Sequence, residues 1–172
     1  EPLLHSAAQR WGARVALAGG SLDLRGGAWG AFVEGDCLEL SQALDNLIDN
    51  AIVHGGPAVV LAAARAPGAV RISVTDSGRL AGPTQSRRAV AGPAAGLRKR
   101  LSGRGRHGHG LAIVRRIAAA HGGRFALSRS AAGCSATIEL PLAVTASAGG
   151  AEEPDTSGAS EHRARRGRAA IV

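Results

Sequence analysis

Three short segments carry the side chains best suited to chemistry. In the first, Gln42, Asn46 and Asn50 recur every fourth residue inside a leucine-rich run. On a helix that spacing stacks them on one face, turned roughly 80–160° from the leucines. Asn is a poor helix-interior residue because its side chain competes for backbone hydrogen bonds. Such a face is either plainly solvated or offers its amide oxygens as hard ligands. A neutral carbonyl oxygen suits Mg²⁺, which is held by few protein groups together with water and phosphate oxygens.

The second segment is Val74-Thr75-Asp76-Ser77-Gly78. A carboxylate at the exit of a strand, followed by Gly, is a fixed acceptor that a ligand can approach closely. It can serve an exocyclic amine, or it can simply begin a turn. The third is His107-Gly108-His109-Gly110-Leu111. A Gly-rich loop entering a helix offers free N–H groups and the positive helix end to phosphate. His107 and His109 have no Cys or carboxylate neighbour in sequence, so this segment does not read as a metal site.

The elements that must hold these segments can be read from hydrophobic period. Residues 2–10 predict a lead-in helix. Arg14–Ala18 and Ser21–Leu24 predict short strands around Gly19-Gly20, and 31–34 another. Asp36-Cys37-Leu38-Glu39 has capping-box spacing. Leu40, Leu44, Leu47, Ile48 and Ala51 then form one apolar stripe, ended by His54-Gly55-Gly56-Pro57. Residues 58–65 and 69–75 predict strands joined at Pro67-Gly68. Residues 77–106 show no periodicity and predict a loop of functional length. Leu111, Val114, Ile117 and Ala118 predict a second helix that His121-Gly122-Gly123 ends. Two alternating strands follow, the second closed by Pro141. Residues 143–172 are poor in large apolar groups and predict a disordered C-terminal tail. The order suits a two-layer α/β sandwich, with a mixed, mostly antiparallel sheet covered by helices on one face.

In this order the three segments resemble the ATP-binding catalytic domain of sensor histidine kinases, a Bergerat-fold group shared with gyrase-type ATPases. Leu44-Asp45-Asn46-Leu47-Ile48-Asp49-Asn50-Ala51 looks like that family's asparagine box. Asp76-Ser77-Gly78 resembles its first glycine box, and Gly108-His109-Gly110-Leu111 its second. Gly133 to Pro141 is similar to its closing strand. The resemblance covers about residues 1–142. It implies that Asn50 is the Mg²⁺ ligand, with Asn46 beside it in the phosphate site. It implies that Asp76 bonds the adenine amine and Gly78 keeps the adenine pocket open. Gly108, His109, Gly110 and Leu111 would line the phosphates, His54 would lie close to the nucleotide, and 79–106 would be an ATP lid. Gln42, the candidate catalytic position, stands where gyrase-type enzymes carry a Glu base, and an amide cannot act as one. Leu80 and Arg106 replace glycines usual in the family, and Cys134 a usual Thr. Those departures keep a degenerate pseudokinase, or another Bergerat-fold ATPase or Ser kinase, as the alternative. Implied partners are ATP, a dimerisation and phosphoacceptor domain outside this chain, and a response regulator.

Charge first suggests something else. The chain carries +8, from 21 basic and 13 acidic residues, which invites a nucleic-acid reading. Residues 1–76 hold five Arg against eight acids, whereas 77–129 hold eleven Arg, Lys99 and no acid. The excess thus coincides with the predicted lid and phosphate-side helix. With Trp11, Trp29, Phe32 and Phe125 as the only aromatics, no stacking platform for bases is available and no nucleic-acid partner is expected. Cys37 and Cys134 cannot make a disulfide framework or zinc ribbon. No apolar run reaches membrane-spanning length and no signal peptide is seen. The expectation is a cytoplasmic piece of a longer sensor, with or without a membrane anchor.

Overall fold

The structure is a computed structural model that describes residues 2–28, 30–78, 109–130, 133–143 and 167–171. It opens with α1 (Leu3–Leu17), β1 (Ser21–Gly27), β2 (Phe32–Gly35) and α2 (Cys37–His54). There follow β3 (Ala58–Ala66), β4 (Ala69–Asp76), α3 (Gly110–Ala120), β5 (Arg124–Ser130), β6 (Gly133–Pro141) and β7 (Gly167–Ala170). The main sheet has the order β1-β3-β4-β6-β5. Only β1 and β3 run parallel; the other neighbours are antiparallel. The mixed, mostly antiparallel α/β sandwich expected from the sequence is the architecture observed.

Alternation along the strands makes one sheet face apolar. Leu61 pairs with Val74 and Ala63 with Ile72, while Val70, Ile72 and Val74 pair in turn with Leu140, Ile138 and Ala136. All are buried. Against them pack the leucine stripe of α2, buried as predicted, and Val114, Ile117 and Ala118 of α3. Each large side chain so buried contributes about 1.5–3 kcal/mol of transfer free energy.

Sequence period misplaces the first element. Instead of a short helix and a strand over 14–18, one helix runs to Leu17. Leu4, Ala7, Trp11 and Val15 form its buried stripe, so the period of 3.6 persists through Gly12. Tertiary contacts hold this stretch. Trp11 Nε1 donates to Asp45 Oδ1 at 2.7 Å, Arg10 Nη2 reaches the same oxygen at 3.0 Å, and Arg14 stacks over the indole.

The tail also departs from expectation. Within 143–172, Gly167–Ala170 forms β7, antiparallel to β2, and Ile171 is fully buried. Backbone pairing with β2, extended by Ile171 N–H to Ala31 O and Leu4 N–H to Ile171 O, fixes a segment that has few large side chains.

The α2 cap is half as predicted. Asp36 accepts from the Leu38 and Glu39 N–H groups at 2.7 and 3.3 Å. The reciprocal bond is not made by Glu39. The Asp36 N–H donates instead to His121 Nε2, at 3.0 Å.

On the other sheet face Glu139 of β6 sits between Arg71 of β4 and Arg124 of β5, its cross-strand partners. Arg71 Nη2 lies 3.0 Å from one oxygen and Arg124 Nη2 2.6 Å from the other. The hydrogen bond from Arg71, with the charge of Arg124, holds the Glu139 carboxyl below its ordinary range. A lowered folded-state value means the stabilisation is complete above the unfolded value, roughly 4.3, and is lost as pH falls through the folded one. Glu139→Gln should therefore lower the melting temperature slightly near neutral pH, with the difference from wild type closing in acid. Melts across pH check this, and a difference that grows in acid contradicts it.

Candidate functional site

Helix α2 is the frame of the site. Gln42, Asn46, Asn50 and His54 follow one another along it at the four-residue spacing; Gln42 and His54 are exposed, Asn46 and Asn50 half-buried. Asn46 Nδ2 donates to the Gln42 main-chain oxygen at 2.8 Å. That bond uses the amide nitrogen and not Oδ1. Gly110, the first residue of α3, lies against it: a Cβ there would stand 3.3 Å from Asn46 Oδ1. The two sequence segments carrying the Asn pair and the second Gly-rich turn are thus brought together.

The two helices begin differently. Asp36 caps α2, whereas His109, the N-cap of α3, makes no side-chain cap bond, and no acidic residue occupies the first turn of α3. The first N–H groups of α3 and its positive end therefore lie beside Asn46 with no capping side chain among the described residues. Leu111 is half-buried against the core. Gly108 and the whole expected lid, 79–106, lie outside the described residues.

Beside the C-terminal end of α2 stands Asp76. It is 7% exposed, the single buried charged side chain among the described residues. Its Oδ1 accepts from the Gly78 N–H at 2.9 Å. Ser77 continues the pairing with β3: its N–H donates to Ala58 O at 3.0 Å and its Oγ accepts from the Ala58 N–H at 3.3 Å. Behind Asp76 the chain leaving α2 passes without side chains. A Cβ on Gly55 would collide with Asp76 Cγ, and one on Gly78 would lie 2.7 Å from the Gly56 nitrogen. Gly133 meets Asp76 from β6, and Cys134 is its cross-strand partner.

From the sequence, Gly55 and Gly56 read only as the stop of α2, and Gly133 only as the start of the closing strand. A doubled Gly after a helix cap was the available signal, since a cap needs only one. Asn46 and Gly55 are about 14 Å apart along the helix at 1.5 Å per residue. So α2 has a buried carboxylate beside its C-terminal end and the uncapped start of α3 beside its middle. Among the described residues no group of three or more His, Cys, Asp or Glu could hold a metal. Any cation here would rely on amide oxygens and on ligand oxygens.

The family described as histidine kinase-, DNA gyrase B-, and HSP90-like ATPase matches residues 35–144, from just before α2 to just past β6. The chain belongs to this family. Within it, the chain resembles sensor histidine kinases. It is 41% identical over 105 residues to the sensor protein kinase CarS of Pseudomonas aeruginosa, covering 60% of this chain and 23% of that protein. It is 34% identical over 117 residues to the sensor-like histidine kinase SenX3 of Mycobacterium tuberculosis, covering 66% of this chain and 28% of that one. The chain thus spans about a quarter of the length of these relatives. The catalytic domain of histidine kinase ThkA has the same fold, with a TM-score of 0.62 at 22% identity over 81% of this chain and 90% of that one. This ATPase-family chain has, among the described residues, no helix long and apolar enough to cross a membrane.

Proposed function

We propose that this domain binds Mg-ATP along α2 and presents the γ-phosphate to a His on a dimerisation domain outside the chain. The observation that carries the reading is the pairing of opposites on one helix. Asp76, buried and half-satisfied by Gly78, suits the exocyclic amine of adenine. The uncapped start of α3, held against Asn46, suits phosphate oxygens. His54, His109, Gly110 and Leu111 flank these two ends, with Gly108 adjoining them in sequence. Asn50 would hold Mg²⁺, with Asn46 beside it in the phosphate site, because that ion takes few protein oxygens and completes its shell with phosphate and water. Held there, Mg²⁺ would supply positive charge to offset that of the phosphates.

Phosphoryl transfer asks of the protein mainly positioning and charge neutralisation. Gln42 supports transfer over hydrolysis, since its amide cannot activate water as a carboxylate would. The phosphorylated domain would then serve a response regulator, and the site would work on the cytoplasmic side of any anchor.

Calorimetric titration with Mg²⁺ and a non-hydrolysable ATP analogue tests the site. Saturable binding by wild type, lost in Asp76→Ala, is expected. The chain alone should place no labelled γ-phosphate on His until a separate acceptor domain is added. Absence of wild-type binding at millimolar nucleotide would overturn the proposal.

A further inference from the structure

The buried ring of His121 joins two helices that the proposed site needs in register. It stands at the C-terminal cap of α3 with only 4% of its side chain exposed. Its Nδ1 lies 2.8 Å from the Ile117 main-chain oxygen, a group that can only accept. Its Nε2 lies 3.0 Å from the Asp36 backbone nitrogen, which can only donate. These two bonds fix the ring as neutral, with the proton on Nδ1. Glu39 Oε2 is 4.0 Å from that same nitrogen. The fit is close: a Cβ on Gly35 would run into the ring.

The contact has a counterpart at the other end of the same pair. Helices α2 and α3 run antiparallel, so Asp36 meets His121 where α2 begins, and Asn46 meets Gly110 where α3 begins. Ten residues of α2 and eleven of α3 separate the two contacts, about 15 Å on each helix. Between them the contact is apolar packing, which resists separation but specifies sliding poorly. The Asp36–His121 bond is directional and resists sliding.

We propose that His121 is a positioning residue: in its Nδ1–H form it sets the register of α3 on α2, and thereby the gap between Asn46 and Gly110. This rests on the nucleotide reading above and adds a residue to it. His121 stands at the far end of α3 from Gly110, so it would act through the helix and not by contact with the nucleotide. Its effect should fall on the phosphates and spare the base, because Asp76 is held by β4 and the glycines around it.

The test compares Mg²⁺ with an ATP analogue against AMP, in wild type, His121→Phe and His121→Gln. Phe keeps a ring but offers no acceptor; Gln offers an amide oxygen near the place of Nε2. Expected is a loss of about tenfold in triphosphate affinity for His121→Phe, the size of one buried hydrogen bond. AMP affinity should be unchanged, and His121→Gln should recover most of the loss. Equal losses for both ligands, no loss, or a Gln variant no better than Phe would each overturn the proposal. If wild type itself bound neither ligand, the nucleotide reading would fall. Nitrogen NMR of the wild-type ring is independent of all variants and of nucleotide. A protonated Nδ1 and a slowly exchanging Asp36 amide are expected, and a protonated Nε2 would overturn the assignment.

Discussion

Asp76→Asn should leave the domain folded and strip most of its affinity for adenine nucleotides. Asn keeps the volume of Asp, and its one oxygen is already committed, because the Gly78 N–H at 2.9 Å needs an acceptor. The amide nitrogen must then face the ligand. A 6-amino purine would present a donor to a donor, in a pocket whose depth denies either group water. The loss expected is about 2 kcal/mol, or some thirtyfold in Kd, as for a charge-assisted bond replaced by an unmet donor. The same geometry predicts a reversal of preference. A 6-oxo purine places an acceptor where adenine has its amine, so inosine triphosphate should gain on ATP in the variant. Calorimetry with both nucleotides on both proteins measures this. An Asp76→Asn protein that still prefers ATP would show that Asp76 does not contact the purine edge.

Gly133→Ala should cost about 3 kcal/mol of stability or more, the largest loss expected from adding one methyl group to this domain. Two effects combine at this residue. Its φ of +141° is a conformation that a residue with a Cβ rarely adopts. The added Cβ would also run into the main-chain oxygen of Asp76, which sits on a central strand and cannot swing aside as a side chain would. Urea unfolding measures the difference. The relief available is a shift of β6 along β4, which would disturb Asp76 and weaken nucleotide binding in whatever fraction stays folded. A midpoint equal to wild type would show that the strand start is freer than its backbone suggests.

Much of this was legible in the sequence, for reasons that particular residues make clear. Asp36 and the stripe from Leu40 to Ala51 located α2 because cap and period are local signals. The run Val70, Ile72, Val74 placed β4, and with it Asp76 at a strand exit. What escaped depended on contacts distant in sequence. Gly12 and the β-branched Val15 weaken a helix continuing to Leu17, and its buried stripe with the bonds of Trp11 and Arg10 to Asp45 outweighs them. β7 is held by backbone pairing to a strand more than a hundred residues earlier, which no local period encodes. Glu39 had the correct spacing to close the cap, yet His121 supplies the acceptor from another helix. Gly55 and Gly56 read as punctuation because the residue they make room for, Asp76, is some twenty positions away.

The strand order carries a kinetic consequence. β3 with β4, turning at Gly68, and β5 with β6, joined through 131–132, are hairpins of neighbouring strands. Contacts so close in sequence form within microseconds. The seam between β4 and β6 pairs residues about sixty positions apart, Asp76 with Cys134 at its end. Closing that span carries a loop entropy that the hairpins do not, so it governs the rate at which the sheet becomes whole. The carboxylate pocket lies on this seam. It is therefore expected to be among the last parts of the domain to assemble, after both hairpins are in place.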